Sequence, residues 1–298
     1  MFFSTVDWQS IANHITEATG QSFTIKNQSS IGGGCINTTY RLEGEGRLYF
    51  AKLNQHSYLD MFEAEAEGLQ TLAKPQVIKV PDVICTGSCQ NYSYLVLEFI
   101  DMGGGGNLAH TQLGHQLAAL HQVTHSQFGW HRDNYIGSTP QINKQENDWV
   151  TFWQEHRLYF QLELASNHGH HGKLQQDGER LLADLGYFFT DYRPQPSLLH
   201  GDLWSGNYSI NIQGQPVIYD PAVYFGDREA DIAMTELFGG FSQNFYAAYQ
   251  DHMPLDVGYK VRKNLYNLYH ILNHLNLFGS GYRNQAERMV STLLSEIR

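Results

Sequence analysis

The sequence predicts an α+β protein with two lobes, a small β-rich N-terminal lobe and a larger, mainly helical C-terminal lobe. Up to about residue 100, short segments alternate apolar and polar residues and are rich in β-branched and aromatic side chains. The stretch MGGGGN at 102–107 interrupts this pattern, and apolar residues spaced by three and four dominate after it. We therefore divide the chain into an N-terminal lobe at 1–101, a glycine-rich hinge at 102–108 and a C-terminal lobe at 109–298.

The N-terminal lobe contains several predicted strands and one predicted helix. QSFTIKN at 21–27 and NTTYRLEGEGRLYFAKLN at 37–54 alternate as strands do, and EGEG is a turn signal inside the second segment. Between 59 and 72 the apolar residues recur at spacings of three and four, which predicts the helix. SYLVLEFI at 93–100 is mostly apolar and predicts a buried strand that leads into the glycines.

The C-terminal lobe is predicted to be helical with one hairpin. A helical pattern begins near Leu113, and similar patterns recur further along the chain. These later patterns cover 149–165, 178–189, 228–238 and 259–278. YSINIQGQPVIYD at 208–220 has two short apolar runs around a Gln-Gly-Gln turn, which indicates a hairpin.

Composition and charge exclude some classes of protein. The chain has 298 residues, 42% hydrophobic and 16% charged, which is typical of an ordered globular protein. Its 19 Lys and Arg residues against 30 Asp and Glu residues give a formal net charge of -11. This balance argues against a nucleic-acid-binding protein, whose phosphate contacts need clustered cations. It is compatible with a cationic small substrate but does not require one.

The cysteines and the hydropathy pattern predict a reducing compartment. Cys35, Cys85 and Cys89 form neither an even disulfide set nor a CxxC pair. The opening MFFSTVDWQS turns polar at once, and no apolar run approaches the roughly 18 residues that a membrane span needs. We therefore expect a cytoplasmic protein with no membrane contact.

The stretch LLHGDLWSGN at 198–207 carries the main catalytic candidates. Phosphoryl transfer needs a carboxylate that accepts the proton of the attacking hydroxyl and oxygen ligands for Mg²⁺. Kinase catalytic loops provide an aspartate and, five residues later, a metal-binding asparagine, which is the spacing of Asp202 and Asn207. Asp220 closes the following hairpin, where a second metal ligand is expected. The alternative is that these are turn and cap residues, but the position of Asp220 favours the catalytic interpretation.

The N-terminal lobe contains candidates for binding the phosphates of a nucleotide such as ATP. Gly32, Gly33 and Gly34 lie between two strand patterns, where their backbone N–H groups could approach phosphates. Lys52 ends the apolar run of YFAK and resembles the strand lysine of kinases. Taken singly, the glycines are more often a turn and the lysine a surface residue. Their order along the chain, before the hinge and the catalytic loop, favours the nucleotide site.

Helical periodicity selects the glutamate that would pair with this lysine. The helix at 59–72 contains Glu63, Glu65 and Glu67. At about 100° per residue, Glu65 falls within the apolar arc, whereas the other two project outside it. An ionised carboxylate on a buried face needs a partner, and Lys52 is the natural one.

The end of the strand at 93–100 is a candidate for binding adenine. Glu98, Phe99 and Ile100 lie just before the hinge, where their backbone groups could bond to the base. The alternative for all three is a strand of the core.

The sequence resembles the fructosamine-3-kinase (ketosamine kinase) family, within the aminoglycoside-phosphotransferase-like kinases. The segments that carry this resemblance extend from about Ser30 to Arg283. They are GGGCINTTYRL, YFAKLN, MFEAEAEGLQTL, VPDVI, LVLEFI, FGW, NYIGSTPQIN, LLHGDLWSGN and YDPAVYFGDREADIA. HGDLWSGN followed by YDPA is more specific than the general kinase pattern, because Trp204 and DPA distinguish this group from its relatives.

The resemblance implies a bilobal protein-kinase-like fold and ATP-dependent phosphorylation of the sugar 3-hydroxyl of a ketoamine. The phosphorylated product of the family is unstable and releases the amine, so the implied role is deglycation repair. By position, Asp202 is then the proton acceptor, Asn207 and Asp220 hold Mg²⁺, and Lys52 and Glu65 orient the phosphates. The implied substrate is a free or protein-bound glycated amine, and the chain is expected to be a monomer or a homodimer.

Other residues near these motifs have two interpretations each. Trp204 could contact the sugar or pack against the lobe, and Asp227 and Arg228 could contact substrate. Many relatives have histidine in place of Asp227, which weakens any transfer of sugar selectivity. Asp231 is expected to bond to backbone N–H groups of the catalytic loop. Cys35 is either a redox-sensitive thiol that could link two chains or a small buried residue.

Two rival functions remain at this point. The first is a small-molecule kinase for another hydroxyl, as in aminoglycosides, choline or homoserine. The second is a non-catalytic nucleotide-binding regulator, which the presence of all five polar site residues disfavours. The histidine-rich stretch NHGHHG at 167–172 is more consistent with a solvated loop than with a metal site.

Overall fold

The structure of the protein is a computed structural model that describes residues 6–32 and 36–297. It has an α+β architecture, and its N-terminal part is built on an antiparallel sheet. The strands of this sheet are β1 (Asn27–Ile31), β2 (Thr38–Gly44), β3 (Arg47–Gln55), β4 (Val83–Cys89) and β5 (Tyr92–Glu98). Their order across the sheet is β1-β2-β3-β5-β4, so β3, which carries Lys52, is the central strand.

Two helices flank this sheet, where the sequence predicted one. They are α1 (Trp8–Thr19) and α2 (Leu59–Ala73). Asp7 caps the start of α1 by accepting the backbone N–H of Ser10 at 3.1 Å. Of the strand predicted at 21–27, only Asn27 belongs to a strand, as the first residue of β1. The segment before it folds back on α1 and donates the N–H of Phe23 to the Thr16 hydroxyl at 2.9 Å.

Among the described residues, the C-terminal part contains the other eight α-helices and seven short strands. The helices are α3 (Asn107–His121), α4 (Trp149–Trp153), α5 (Phe160–Asn167), α6 (Lys173–Ala183), α7 (Glu229–Leu237), α8 (Gln243–His252), α9 (Tyr259–Phe278) and α10 (Arg283–Glu296). A π-helical turn at Gln154–Tyr159 joins α4 to α5, so the helical pattern predicted at 149–165 is continuous. The strands are β6 (Met102–Gly103), β7 (Asn134–Ile136), β8 (Thr139–Gln141), β9 (Ser197–Leu199), β10 (Tyr208–Asn211), β11 (Pro216–Ile218) and β12 (Tyr224–Gly226). Strands β10 and β11 form the predicted hairpin.

Two hydrophobic clusters hold the molecule together. The smaller one lies between α1 and the sheet and includes Ile11, Leu42 and Val96. The larger one joins α2 to the helices of the C-terminal part, with Phe62 and Leu265 both fully buried in it. Helix α2 is therefore packed against both parts of the protein, which fixes its position relative to the cleft between them.

Residues at both ends of the glycine-rich segment belong to regular elements. Met102 and Gly103 form β6, which pairs with β10, and α3 begins at Asn107. The segment at 104–106 is thus the only part of the proposed hinge that lies outside an element. A Cβ on Gly105 would lie 2.3 Å from the side chain of Ile210, which explains why glycine is needed there.

Within residues 6–32 and 36–297, every helix is too short or too polar to span a lipid bilayer.

Candidate active site

A cleft of about 1400 Å³ lies between the N-terminal sheet and the C-terminal helices. The sheet contributes residues of β3 and the end of β5 to its lining. The C-terminal part contributes the loop after β9, the hairpin β10–β11 and one face of α9. The sequence-predicted residues of the catalytic loop and of the N-terminal strand therefore face the same space.

The catalytic-loop candidate His200-Gly201-Asp202 follows β9 and is held by buried hydrogen bonds. Asp231 on α7 accepts the backbone N–H groups of His200 at 2.8 Å and Gly201 at 2.9 Å, as the sequence predicted. The ring of His200 donates to the carbonyl of Tyr219 at 2.9 Å and accepts the N–H of Asp202 at 3.3 Å. These bonds fix the backbone on both sides of the Asp202 carboxylate.

Gly201 cannot be replaced in this loop. Its φ is +83°, in the left-handed region, and a Cβ would lie 2.0 Å from the carbonyl oxygen of Ala222. Glycine is therefore required at this position, where the catalytic loops of protein kinases have arginine.

Asn207 joins the catalytic-loop aspartate to Asp220. Its amide nitrogen donates to the backbone carbonyl of Asp202 at 2.8 Å, to the Asp202 carboxylate at 3.2 Å and to the carbonyl of Asp220 at 3.4 Å. Because its NH₂ group is used in this way, the amide oxygen is the atom left for a ligand.

Lys52, Glu65 and Asp220 form a three-residue ion-pair cluster. The Nζ atom of Lys52 lies 2.7 Å from Glu65 Oε1 and 2.5 Å from Asp220 Oδ1. Burial alone lowers the pKa of Lys52, but the carboxylates of Asp220 and Glu65 outweigh burial and raise that pKa above its ordinary value. Lys52 is therefore a fixed cation, with only 5% of its side chain exposed, beside a partly exposed carboxylate.

Asp220 has an unusual backbone conformation. Its φ is +56°, which is uncommon for a residue other than glycine. Strain of this kind persists only where the surrounding structure imposes it, and it is often found at functional sites. Here it accompanies a carboxylate that reaches Lys52 from the end of the hairpin.

The charge state of Asp202 depends on its surroundings. Burial, and then the negative charge of Asp220, raises the pKa of the Asp202 carboxyl to about 7, although the hydrogen bond from Asn207 lowers it. A carboxylate with this pKa is suited to accept a proton near neutral pH.

Apolar side chains line part of the cleft next to the hinge, which we call the apolar slot. Ile31, Phe50 and Leu97 line it from the sheet, and Tyr219 lines it from the hairpin. Apolar side chains that line part of a cleft in this way can contact a nucleotide base.

The three predicted adenine-binding residues, Glu98, Phe99 and Ile100, line this slot. The Glu98 side chain bonds to Lys79 at 2.6 Å and to the N–H of Asp82 at 3.2 Å, so its backbone alone is left for a base.

Gly32, the first of the three predicted glycines, lies at the edge of the cleft directly after β1. Gly33, Gly34 and Cys35 lie outside the described residues. The predicted phosphate contacts of these glycines and the redox role of Cys35 therefore stay predictions.

The predicted substrate residues do not all reach the cleft. Trp204 does, with 38% of its surface exposed. Asp227 is 1% exposed and accepts hydrogen bonds from the hydroxyls of Tyr192 at 2.9 Å and Tyr266 at 2.5 Å. Arg228 donates to the carbonyl of Met253 at 2.9 Å. The substrate contact expected of Asp227 and Arg228 is therefore corrected, because their polar groups are used inside the C-terminal part.

Residues of α9 and its surroundings also line the cleft, and they were not predicted from the sequence. They are Phe238, His270, Asn273, His274, Leu277, Phe278 and Tyr282. The sequence did contain a pattern that could have identified them. The polar residues His270, Asn273 and His274 interrupt an otherwise buried helix at spacings of three and four. Such a polar stripe on a buried helix indicates a face that lines a cavity.

A second ion-pair cluster, which we call the α2 clamp, ties α2 to the loop before β7. Arg132 donates to Glu67 at 2.6 Å and to Asp60 at 2.5 Å. His131 lies 2.8 Å from Glu67, and the Tyr135 hydroxyl donates to Asp60 at 3.0 Å. Helical periodicity correctly predicted that Glu67 lies outside the apolar arc of α2. It did not predict the contacts of Glu67 with Arg132 and His131.

Acid should destabilise the protein through His270, which is 5% exposed. Burial, and then the proximity of His274, lowers the pKa of His270 to about 3. The unfolded chain binds a proton there near pH ~6.5. As the pH falls below that value, this group reduces the free energy of unfolding by about 1.4 kcal/mol per pH unit.

The His270→Gln variant should therefore lose about 2 kcal/mol less stability than the parent between pH ~6.5 and ~5. Urea unfolding at both pH values measures this difference. His252→Gln, which changes an exposed histidine, is the control and should behave like the parent. An unchanged pH dependence in the His270 variant would contradict the prediction.

The fold defines the class of protein. The two parts with a cleft between them form a protein-kinase-like fold. An aminoglycoside phosphotransferase variant solved as a ternary complex with ADP and hygromycin B superimposes with a TM-score of 0.60 at 16% identity, covering 96% of this chain and 98% of that one. The family model described as fructosamine kinase matches residues 7–296. The chain belongs to the fructosamine kinase family.

Individual relatives agree with this assignment along nearly the whole chain. A Synechocystis sp. protein assigned as a ketoamine kinase is 49% identical over 292 residues, which is 98% of both chains. The chloroplastic protein-ribulosamine 3-kinase of Arabidopsis thaliana is 42% identical over 283 residues, 94% of this chain and 86% of that protein. A crystal structure from Haemophilus somnus, assigned as a fructosamine-3-kinase, has a TM-score of 0.88 at 32% identity and covers 96% of this chain and 97% of that one.

Proposed function

We propose that this protein is an ATP-dependent kinase that phosphorylates the sugar 3-hydroxyl of ketoamines and so acts in deglycation repair. The observation that carries the proposal is the convergence of Asp202, Asn207 and Asp220 with the buried cation Lys52 at the centre of the cleft. Membership of the fructosamine kinase family supports the same reaction.

Lys52 is the proposed partner of the nucleotide phosphates. It is held by Glu65 at 2.7 Å, so the ammonium stays in place if Asp220 turns toward a metal ion. The adenine would occupy the apolar slot between the sheet and Tyr219, with its edge toward the backbone of Glu98, Phe99 and Ile100.

The donor atoms near Asp220 fit Mg²⁺. A carboxylate and the free amide oxygen of Asn207 are hard oxygen ligands, which Mg²⁺ prefers together with phosphate oxygens and water. Asn207 and Asp220 are therefore the proposed ligands. When bound, the ion would neutralise charge on the β- and γ-phosphates.

Asp202 is the proposed proton acceptor. Its backbone is fixed through Asp231, and its carboxylate is oriented by the amide of Asn207 at 3.2 Å. Positioning the attacking hydroxyl and accepting its proton are the two tasks that phosphoryl transfer leaves to such a group.

Charge in the cleft favours a ketoamine over a polycationic aminoglycoside. The charged side chains among the described lining residues are Lys52, Glu65, Glu98, Asp101, Asp202 and Asp220. Lys52, Glu65 and Asp220 are at the proposed phosphate and metal positions, and Glu98 is paired with Lys79 at 2.6 Å. Asp101 and Asp202 are the carboxylates that remain. A substrate with several ammonium groups would need several further carboxylates. The charge of the cleft therefore suits a substrate with a single amine.

A substrate panel tests the proposed function. ATP consumption should occur with ribulosamines or fructosamines and be at background with an aminoglycoside and with choline. Turnover of the aminoglycoside or choline alone would support a different small-molecule kinase. ATP binding without turnover of any of these compounds would support the non-catalytic regulator.

The α2 clamp should contribute to catalysis by positioning Glu65. Removing the guanidinium in Arg132→Ala leaves Asp60 and Glu67 without their main partner. Partly exposed pairs of this kind contribute at most about 1 kcal/mol, so kcat/KM for ATP should fall by no more than about fivefold. Steady-state kinetics with varied ATP measures the change.

Arg180→Ala is the matched control for the clamp. It removes an exposed pair with Asp177 on α6 and should leave kcat/KM unchanged. Equal effects of the two substitutions, or no effect of Arg132→Ala, would show that the clamp does not position the site.

The boundary between the lobes, the location and the partners of the protein are predictions from the sequence. The division at 102–108 is the proposed boundary between the lobes. A cytoplasmic location, the absence of nucleic-acid binding and the choice between monomer and homodimer remain predictions from the sequence.

A further inference from the structure

Three buried amide side chains lie behind the chain segment that follows Asp220. This amide network consists of Asn134 on β7, Gln141 on β8 and Asn143 just after β8, and each of these residues is at most 4% exposed. Gln141 and Asn143 do not line the cleft, so a role in binding would have to act through other residues. Burying an amide costs free energy unless its hydrogen bonds are made, and an apolar side chain would fill the same space without that cost. Three buried amides in one place therefore indicate a role in positioning.

Two members of the network hold the backbone carbonyls that lie two and three residues after the proposed metal ligand. The amide nitrogen of Gln141 donates to the carbonyl of Ala222 at 3.0 Å and to Oδ1 of Asn134 at 2.8 Å. Asn134 in turn donates to the carbonyl of Val223 at 2.7 Å. The amide oxygen of Gln141 accepts the hydroxyl of Tyr269 on α9 at 2.9 Å. The segment after the hairpin is therefore connected through Gln141 to the long helix α9.

Asn143 completes the network. Its amide nitrogen donates to Oδ1 of Asn134 at 2.8 Å, and its amide oxygen accepts the guanidinium of Arg157 at 2.8 Å. Arg157 is fully buried, and its guanidinium carbon lies 4.2 Å from the ring centroid of Tyr224. Every amide nitrogen and oxygen of the network thus has a partner. A buried network that is satisfied in this way favours one arrangement of the groups it holds.

Helix α2 packs against the same segment, residues 221–223. A Cβ on Gly68 would lie 3.3 Å from Cγ2 of Val223 and 3.6 Å from Cγ of Pro221, so glycine allows the helix to approach closely. Because α2 also carries the glutamate partner of Lys52, the segment contacts both the amide network and the helix that positions the cation.

Pro221 affects how the position of Asp220 can be fixed. In protein kinases a phenylalanine follows the metal-binding aspartate, and its packing sets the active or inactive arrangement. Proline has no N–H group, so the first backbone donor after Asp220 belongs to Ala222, which bonds to the carbonyl of His200 at 2.9 Å. The carbonyls of Ala222 and Val223 follow, and the amide network binds both. The left-handed φ of Asp220, +56°, persists only where surrounding contacts of this kind impose it.

We propose that Gln141 is a positioning residue that fixes Asp220 by holding the carbonyl of Ala222. This inference rests on the part of the proposed function that assigns Asp220 to Mg²⁺. With the bond in place, the carboxylate is already oriented before nucleotide and metal bind. Without it, the carboxylate takes other orientations as well, and ordering it on binding lowers the affinity for the metal–nucleotide complex.

The test measures how much Mg²⁺ increases the affinity for AMP-PNP, a non-hydrolysable analogue of ATP, by calorimetric titration with and without the ion. Gln141→Met keeps the length of the side chain and removes its three hydrogen bonds. Tyr269→Phe removes only the hydroxyl that orients the Gln141 amide, and it replaces the first variant if that one does not fold. Circular dichroism shows which variants are folded.

Gln175→Met is the matched control. This glutamine on α6 also donates to two backbone carbonyls, those of Leu162 at 3.0 Å and His170 at 2.9 Å, but it has no contact with residues 221–223. The same substitution there removes the same kind of bond away from the cleft.

Gln141→Met should reduce the gain in affinity from Mg²⁺ about tenfold, the lower end of the effect of losing a group that orients a metal ligand. The affinity without Mg²⁺ should not change. The Mg²⁺ concentration for half-maximal phosphorylation of a ribulosamine should rise by a similar factor. Tyr269→Phe should reduce the gain from Mg²⁺ about threefold, because one neutral hydrogen bond is lost. Gln175→Met should behave like the parent.

Two results would overturn the inference. An unchanged gain from Mg²⁺ in folded Gln141→Met, or in Tyr269→Phe if the first variant does not fold, would show that the network has only a structural role. Equal losses of affinity with and without Mg²⁺ would show that the substitution disturbs the whole cleft. A parent that phosphorylated no ketoamine would overturn the proposed substrate alone, because the titrations contain no sugar.

Discussion

Replacing Asp202 by asparagine is expected to lower kcat by about 10²–10⁴-fold, the range that a positioned general base contributes. The substitution keeps the shape of the side chain but removes the group that accepts the hydroxyl proton. The affinity for ATP should change by less than about twofold, because the proposed phosphate and base contacts are made by Lys52 and the apolar slot.

Single-turnover kinetics and calorimetric titration with ATP measure these two quantities separately. Ser205→Ala is a matched control in the same loop, since it removes only a hydrogen bond of 3.2 Å to the carbonyl of Phe238. Its kcat should stay close to that of the parent. Loss of ATP affinity with retained turnover in Asp202→Asn would contradict the assignment of the base.

The second large effect is expected from Lys52→Met. Lys52 is the cation of the buried cluster, and removing a group that stabilises developing charge typically costs about 10²–10³-fold in rate. The substitution also leaves Glu65, whose side chain is 11% exposed, without its cation, so the protein should become less stable. Activity and stability would then fall together, and a second variant is needed to separate them.

The double variant Lys52→Met/Glu65→Gln separates the two effects. Replacing the carboxylate of Glu65 by an amide removes the unpaired buried charge, so the melting temperature should recover while the rate does not. Lys79→Met, which removes a half-buried partner of Glu98, is the control and should retain most activity. Recovery of the rate in the double variant would show that Lys52 has only a structural role.

Local sequence patterns predicted the parts of the site that depend on spacing along one element. The interval of five residues between Asp202 and Asn207 brings their side chains within 3.2 Å. Helical periodicity chose Glu65 among three glutamates, and the structure has it 2.7 Å from Lys52. Both inferences rest on geometry that a loop or helix sets by itself.

Contacts between distant segments could not be predicted in this way. Arg132 donates to Asp60, which is 72 residues away in the chain. The sequence around Arg132 does not indicate that Asp60 is its partner. Asp227 follows a turn near the catalytic loop, but the hydroxyls of Tyr192 and Tyr266 hold it in the interior. The packing of the surrounding helices determines which side of a turn faces the cleft. This packing cannot be predicted from a single sequence.

We expect this cleft to transfer the γ-phosphate of ATP to the 3-hydroxyl of a ketoamine. Phosphorus NMR of a reaction with Mg²⁺, ATP and a ribulosamine tests it most directly. In samples taken before the product decomposes, we expect one new phosphomonoester signal, coupled to the proton on carbon 3 of the sugar and equal in amount to the ADP formed. In the same time Asp202→Asn should give about 10²–10⁴-fold less of it. A phosphoester at another carbon, or ADP without any sugar phosphate, would contradict it.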